Sequence, residues 1–502
     1  MTGPRSPIIL PRWDLNPVVV KELRQAVRNW FVVGVLLILL LILFVAMVMY
    51  LLSESIGATA NPTLGRNIFQ VFYTILTLGS MLFIPIYTGT RFAKEREDSN
   101  MDLMFITTLT PGQIIRGKIL GGVILTGLFY SVFLPFMSFC YLLRGVDLPS
   151  MFVVLAMSFI VVTAMIHLSV CLACLPVSRN FKGGIGAATF FLSLSWIGGM
   201  SFGGISMIET GIGSKLASWD FWGPALTFVI GAALVMRVLY IAAVALITPP
   251  SANRALPLRV NTTVCYLIAV AIPLAWDYFG GSIGTTTSFL PQLSAGFGLP
   301  LLAVCLLACI SSRDKLSLRI RRTIPATQPK RALAFIFYDG AAGGLVWCAL
   351  LACFMVPLGY LAFGKTAADW EIYAATALYF FAYALTGLFL HRRFWRNRPP
   401  KLAGICAVLV PLLLGVIPTL VLFFLNRFTY TSRESFMPGN IFNLFVNHNS
   451  HAPTHCVVAT VWVVVMLALN APWFLAQFLA FQPLNPAGEK AADGSTLPPR
   501  ID

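Results

Sequence analysis

The sequence predicts an all-α fold: a polytopic transmembrane helix bundle of about twelve spans with both termini in the cytoplasm. Three observations lead there. Hydrophobic residues make up 58% of the chain and charged residues only 11%. An ordinary soluble domain carries about 25% charged residues, so a packed aqueous core does not account for this composition. Apolar runs reach membrane length: residues 31–52 carry no charge over 22 positions, and about 20 residues suffice to cross the hydrocarbon. The cations, finally, are segregated along the chain.

Hydropathy places the spans at roughly 30–52, 68–90, 118–143, 150–176, 184–208, 222–248, 263–280, 297–312, 335–363, 371–391, 403–426 and 456–482. The seventh and eighth are short, with a Gly-, Ser- and Thr-rich loop between them. With the N-terminus inside, cytoplasmic segments and their edges hold 28 of the 35 Lys and Arg, and external loops hold six. Cytoplasmic loops concentrate positive charge, so this asymmetry sets the orientation. The net charge of +16 then reflects topology and implies a lipid bilayer, with no nucleic-acid partner. The first run is too long for a signal-peptide core and has no small-residue cleavage site, so it is expected to stay as an anchor.

Residues 1–29 are polar and basic and are expected to open an interfacial helix. Asn16 suits the N-cap and Pro17 the first helical position. Val19, Leu23, Ala26, Val27 and Trp30 share one face, while Lys21, Arg24 and Arg28 share another, with Glu22 between them. Such a helix lies on the leaflet with its cations near lipid phosphates.

Residues 91–117 differ from every other loop. Arg91, Lys94, Glu95, Arg96, Glu97, Asp98 and Asp102 form the chain's one dense mixture of charge signs. Met101, Met104, Phe105 and Thr108 follow at helical spacing. Thr110-Pro111-Gly112-Gln113 then reads as a capping box, with Thr at the N-cap, Pro at N1 and Gln at N3. A short helix, a break and a capped helix suit a docking surface for a cytosolic partner better than a solvated tether.

Two stretches resemble a family. Asn16 through Gln25, followed by a long apolar span, resembles the start of the type-two ABC exporter permeases, whose N-terminal segment is an interfacial connecting helix. Glu95-Arg96-Glu97-Asp98, Leu103-Met104 and Thr107 through Gln113, ending in Gly117-Lys118, are similar to that family's cytoplasmic coupling segment. The resemblance implies the membrane-spanning subunit of an ATP-driven exporter in a bacterial inner membrane, with no catalysis of its own. It also implies a separate ABC ATPase subunit that holds ATP and magnesium, and a second permease chain as partner. The coupling residues would be Glu95, Arg96, Glu97, Asp98, Asp102, Thr110, Pro111 and Gln113. Lys21, Glu22, Arg24 and Arg28 would lie on the connecting helix. The chain departs from the pattern at Ser99-Asn100 and Thr107-Thr108, and in length. Such permeases commonly have six spans, so residues 30–250 fill the family unit and 251–482 add a second six-span region. Residues 483–502 form a Pro-, Gly- and Ala-rich tail expected to be disordered.

The remaining motifs are weak. Gly359 through Thr366 fits the phosphate-loop pattern G-x-x-x-x-G-K-[ST], but that loop follows a buried strand, and here the pattern closes an apolar span. His167 and Arg237, in the cytoplasmic halves of two spans, are candidates to line a substrate path, although Arg237 also suits snorkelling to the interface. Asp277, flanked by Trp276 and Tyr278, reads as interfacial. His448, His451 and His455 cluster in the last external loop. With Pro453 interrupting any helix, solvated histidines are the better reading than a metal site. The ten cysteines lie mostly in spans and read as small hydrophobes. The alternative function is an ion- or proton-coupled secondary transporter, which the scarcity of intramembrane carboxylates disfavours.

Overall fold

A computed structural model describes residues 17–56, 64–97, 110–143, 146–175, 182–212, 218–249, 251–279, 294–314, 316–363, 367–425, 437–446 and 451–483. Asp98, Asp102, His448, the 101–108 stretch and the tail beyond 483 lie outside the described residues, as does the side chain of Glu97.

Every regular element among the described residues is helical. They are α1 (Pro17–Arg28), α2 (Trp30–Ile56), α3 (Leu64–Glu97), α4 (Pro111–Leu142), α5 (Leu148–Ala173), α6 (Lys182–Thr210), α7 (Trp219–Ile247) and α8 (Ala255–Phe279). A π turn (Ser294–Gly298) leads into α9 (Leu299–Ile310), followed by α10 (Leu318–Arg322), α11 (Gln328–Phe337), α12 (Ala341–Phe363), α13 (Ala367–Phe394), α14 (Lys401–Leu425), α15 (Ile441–Val446) and α16 (Ala452–Ala480). Eleven of the helices are long and apolar enough to cross a membrane, which makes this an all-α multi-pass membrane protein.

The chain divides into two compact units, Met1–Thr248 and Pro249–Asp502. In the first, α3 is central, with 56% of its apolar window buried, against 17% for the peripheral α2. Its packing rests on small residues. A Cβ at Gly89 would run into the Ser169 hydroxyl of α5 and come within 3.2 Å of the Ser169 carbonyl oxygen, so glycine suits that close helix–helix approach. The unit returns to one end of its bundle. Tyr240 near the end of α7 donates to the Gly112 carbonyl at the start of α4 (3.2 Å).

In the second unit α13 is central, with 67% of its window buried. Its Gly387 faces the backbone of Ala403 and Ala407 on α14, again a small-residue seam. The expected eighth span is the short element Gly296–Ile310. Phe297 stacks on Tyr266 midway along α8, and both Cys309 and Arg259 approach Gly344 at the α8 start. The short element therefore runs antiparallel to α8 and brings the chain back to the end where α8 began. Phe481, after α16, packs on Phe335 and Tyr338 at that same end.

Candidate functional site

The capping box forms as its spacing dictates. Gln113 N–H donates to Thr110 Oγ1 (3.4 Å), and Thr110 N–H donates to Gln113 Oε1 (2.9 Å). Pro111 occupies the first turn, where its missing N–H leaves no bond unmade. This start aims α4 so that, two turns on, Lys118 points inward and is 5% exposed.

A buried ammonium requires compensating charge. Lys118 Nζ lies 2.5 Å from Glu22 Oε1 of α1 and also bonds Glu95 Oε2 of α3. The ring of Phe92 lies beneath it, 5.5 Å away. Arg91 Nε is 3.9 Å from both Glu22 and Glu95, and Lys21 Nζ is 3.9 Å from Glu95. Three helices, separated by up to 96 residues in sequence, thus meet in one ion-pair knot. Gly121 makes the approach feasible, because a Cβ there would meet the Glu22 side chain at 3.0 Å.

The knot redefines α1. Its buried face is Val18, Val19 and Ala26, with Glu22 between them, and it packs on α4. Val27 and Trp30, grouped with the apolar face by periodicity, are 66% and 83% exposed instead. The helix is docked on protein through a mixed face, and its outer apolar residues are left to the surroundings. Arg24 and Arg28 are exposed.

The predicted coupling residues divide. Glu95 turns inward to Lys118. Arg96 reaches across to the end of α5, donating to the carbonyls of Cys174, Leu175 (2.9 Å) and Ala173 (3.4 Å). A cation there satisfies carbonyls that the helix end leaves open. Both residues bind this chain to itself. Thr110, Pro111 and Gln113 set the helix start. Glu97, Asp98 and Asp102, the segment's other acidic residues, fall at or beyond the limit of the described residues.

His167 is half-buried and its Nδ1 pairs with the Thr163 carbonyl of its own helix (2.8 Å), while Arg237 is exposed on α7. The two side chains stand in different environments.

Two sites in the second unit escaped the sequence. Arg259, 3% exposed, donates to the carbonyls of Ile336 (2.7 Å), Tyr338 (2.7 Å) and Gly340 (3.0 Å). Asp339 reciprocates, accepting from the N–H groups of Arg254 (3.1 Å) and Ala255 (3.0 Å) at the α8 start. Nearby, Asp314, exposed just after α9, accepts from Trp473 Nε1 (3.3 Å). Partial desolvation against the protein raises its carboxyl above the usual range, opposed by that bond and by the neighbouring Arg392 and His391 side chains. Asp277, expected at the interface, is fully buried.

The histidines also require correction. His455 is fully buried rather than solvated, its Nδ1 paired with Tyr379 Oη (2.8 Å) and its Nε2 with Asn443 Oδ1 (3.2 Å). Pro453 falls in the first turn of α16 and starts the helix that it was expected to interrupt. With both ring nitrogens paired, His455 has no lone pair to offer a metal. No group of three metal-ligating side chains occurs among the described residues. Gly359 of the phosphate-loop pattern sits within α12, against the Tyr373 ring, and no strand precedes it.

Comparison with known protein families, with curated proteins and with solved structures gives no match.

Proposed function

We propose that this chain is the membrane-spanning permease subunit of an ATP-driven transporter, an exporter of the ABC type, in a bacterial inner membrane. It is not an enzyme in this reading. A separate ATPase subunit carries ATP and magnesium and docks under residues 91–117, and a second permease chain completes the pathway. One observation carries the reading: both ends of the 98–109 stretch are held by the Glu22–Lys118–Glu95 knot. A push on that stretch reaches three helices at once, because neither end gives independently. A loop serving only to join two spans has no need of such anchoring. Packed, ion-paired elements switch between discrete arrangements rather than deforming gradually, which suits the transmission of an ATPase cycle.

Charge reversal at Glu97 and Asp98 tests docking. Glu95 is left intact, since altering it unpairs Lys118. The Glu97→Lys/Asp98→Lys chain is expected to lose copurification with the ATPase and its stimulation; unchanged yield and stimulation would count against the proposal.

Ion-coupled secondary transport has one observation in its favour, the buried Asp277 together with a short eighth span that opens in a π turn. Irregular helices and intramembrane carboxylates mark the binding sites of such transporters. Transport in vesicles driven by an ion gradient without ATP would select it.

A further inference from the structure

Beside the knot, α1 and α3 enclose a groove of about 610 Å³. Four of its lining side chains are cationic, namely Arg24, Arg28, Arg91 and Lys94, and no carboxylate lines it. Arg24, Arg28 and Lys94 are exposed and enter no ion pair among the described residues. Arg91 is fixed from below: Tyr87 Oη accepts from its Nη1 at 2.5 Å, Gln25 Oε1 accepts from its Nη2, and its Nε faces Glu22 and Glu95. Asn29 Nδ2 donates to the same Tyr87 hydroxyl (3.4 Å). Three cations with no ion pair among the described residues, grouped around a fixed one, repel each other unless an anion sits among them.

The groove's rim is apolar. Val27, Trp30 and Phe31 are 66%, 83% and 61% exposed, and Phe31 packs on Phe83 of α3 at 5.6 Å. Tryptophan at such a junction marks headgroup depth, with hydrocarbon beginning beyond it. A ligand with an anionic head and an apolar body meets both surfaces at once, whereas a soluble anion uses only one.

We propose that this groove binds the phosphodiester headgroup of an anionic phospholipid, with its acyl chains along Trp30 and Phe31. The lipid clamps α1 against α3 from outside while the Lys118 knot holds α1 from within. The site requires only the membrane location and stands apart from the transporter reading.

Native mass spectrometry of the purified full chain tests it, with phosphatidylglycerol and phosphatidylcholine as probes. Wild type is expected to retain phosphatidylglycerol preferentially. Arg24→Gln/Arg28→Gln/Lys94→Gln should weaken that retention roughly a hundredfold, since each cation near an anionic surface contributes about fivefold. The charge-keeping Arg24→Lys/Arg28→Lys/Lys94→Arg chain should retain it. Equal retention of the two lipids, or equal retention by the wild-type and neutralised chains, overturns the proposal. Inorganic phosphate should compete no better than chloride at matched ionic strength. Full displacement of the lipid by phosphate makes this a free-anion site and also overturns the proposal. Should the neutralised chain fail to fold, the lipid preference and the phosphate competition in wild type still decide.

Discussion

Replacing Lys118 by methionine probes the knot directly. The substitution keeps the volume of the side chain and removes one charge. Glu22 and Glu95, whose side chains are 12% and 17% exposed, would then face each other without the ammonium between them. The nearest remaining cations are Arg91 and Lys21, each 3.9 Å away. Removing one partner from a buried ion pair costs about 3–5 kcal/mol. Partial exposure of the carboxylates and the remaining cations place Lys118→Met at the lower end, about 3 kcal/mol. For a unit of this size that lowers Tm by roughly 6–12 °C. The assay is thermal unfolding in detergent, followed by intrinsic tryptophan fluorescence and size-exclusion recovery. Adding Glu22→Gln and Glu95→Gln removes the uncompensated charges and should recover at least half of the loss, because a cluster neutralised as a whole is far less disruptive than one broken. A single variant within about 1 kcal/mol of wild type, or a triple variant no better than the single, refutes the account of the knot.

Three further outcomes are expected. Thr110→Ala removes one half of the capping box and should cost about 1 kcal/mol, read as a Tm lower by roughly 2–4 °C. Arg259→Gln leaves at least one of three half-buried carbonyls without its present partner, and since a hydrogen bond to a charged group contributes about 1.5–3 kcal/mol, the second unit should open first in hydrogen exchange at residues 336–340. Asp314, its carboxyl raised in the folded state by partial desolvation, binds its proton more tightly folded than unfolded. Its stabilising contribution is therefore full below the ordinary carboxylate range and fades as pH rises through the raised value. Asp314→Asn should flatten that part of the stability–pH profile, and an unchanged profile would remove Asp314 as its source.

The parts of this protein that depend on local pattern were legible in its sequence. Span lengths follow from uninterrupted apolar runs, and the α4 start from Thr110-Pro111-Gly112-Gln113. What was hidden depends on partners distant in the chain. Lys118 stands at the head of an apolar span and reads as a topology marker, because Glu22 and Glu95 come beside it only through folding. The same charges turned α1 by one face, since periodicity leaves Glu22 off the apolar face and takes no account of a buried ammonium waiting for it. Glu95 and Arg96, alike in sequence to their acidic and basic neighbours, proved to be tied to Lys118 and to the end of α5. Pro453 misled for a positional reason: a proline breaks a helix in its interior but starts one in its first turn. The short eighth span begins with a π turn, which leaves no compositional trace.

The central claim is that an ATP-hydrolysing partner docks under the capped start of α4. A photo-crosslinking residue at Arg116, exposed one turn beyond the capping box, tests this in the protein's own membrane. The account predicts a crosslink to a separate ATPase chain whose yield changes between ATP-bound and nucleotide-free membranes. Crosslinks to lipid alone, identical with and without nucleotide, would contradict it.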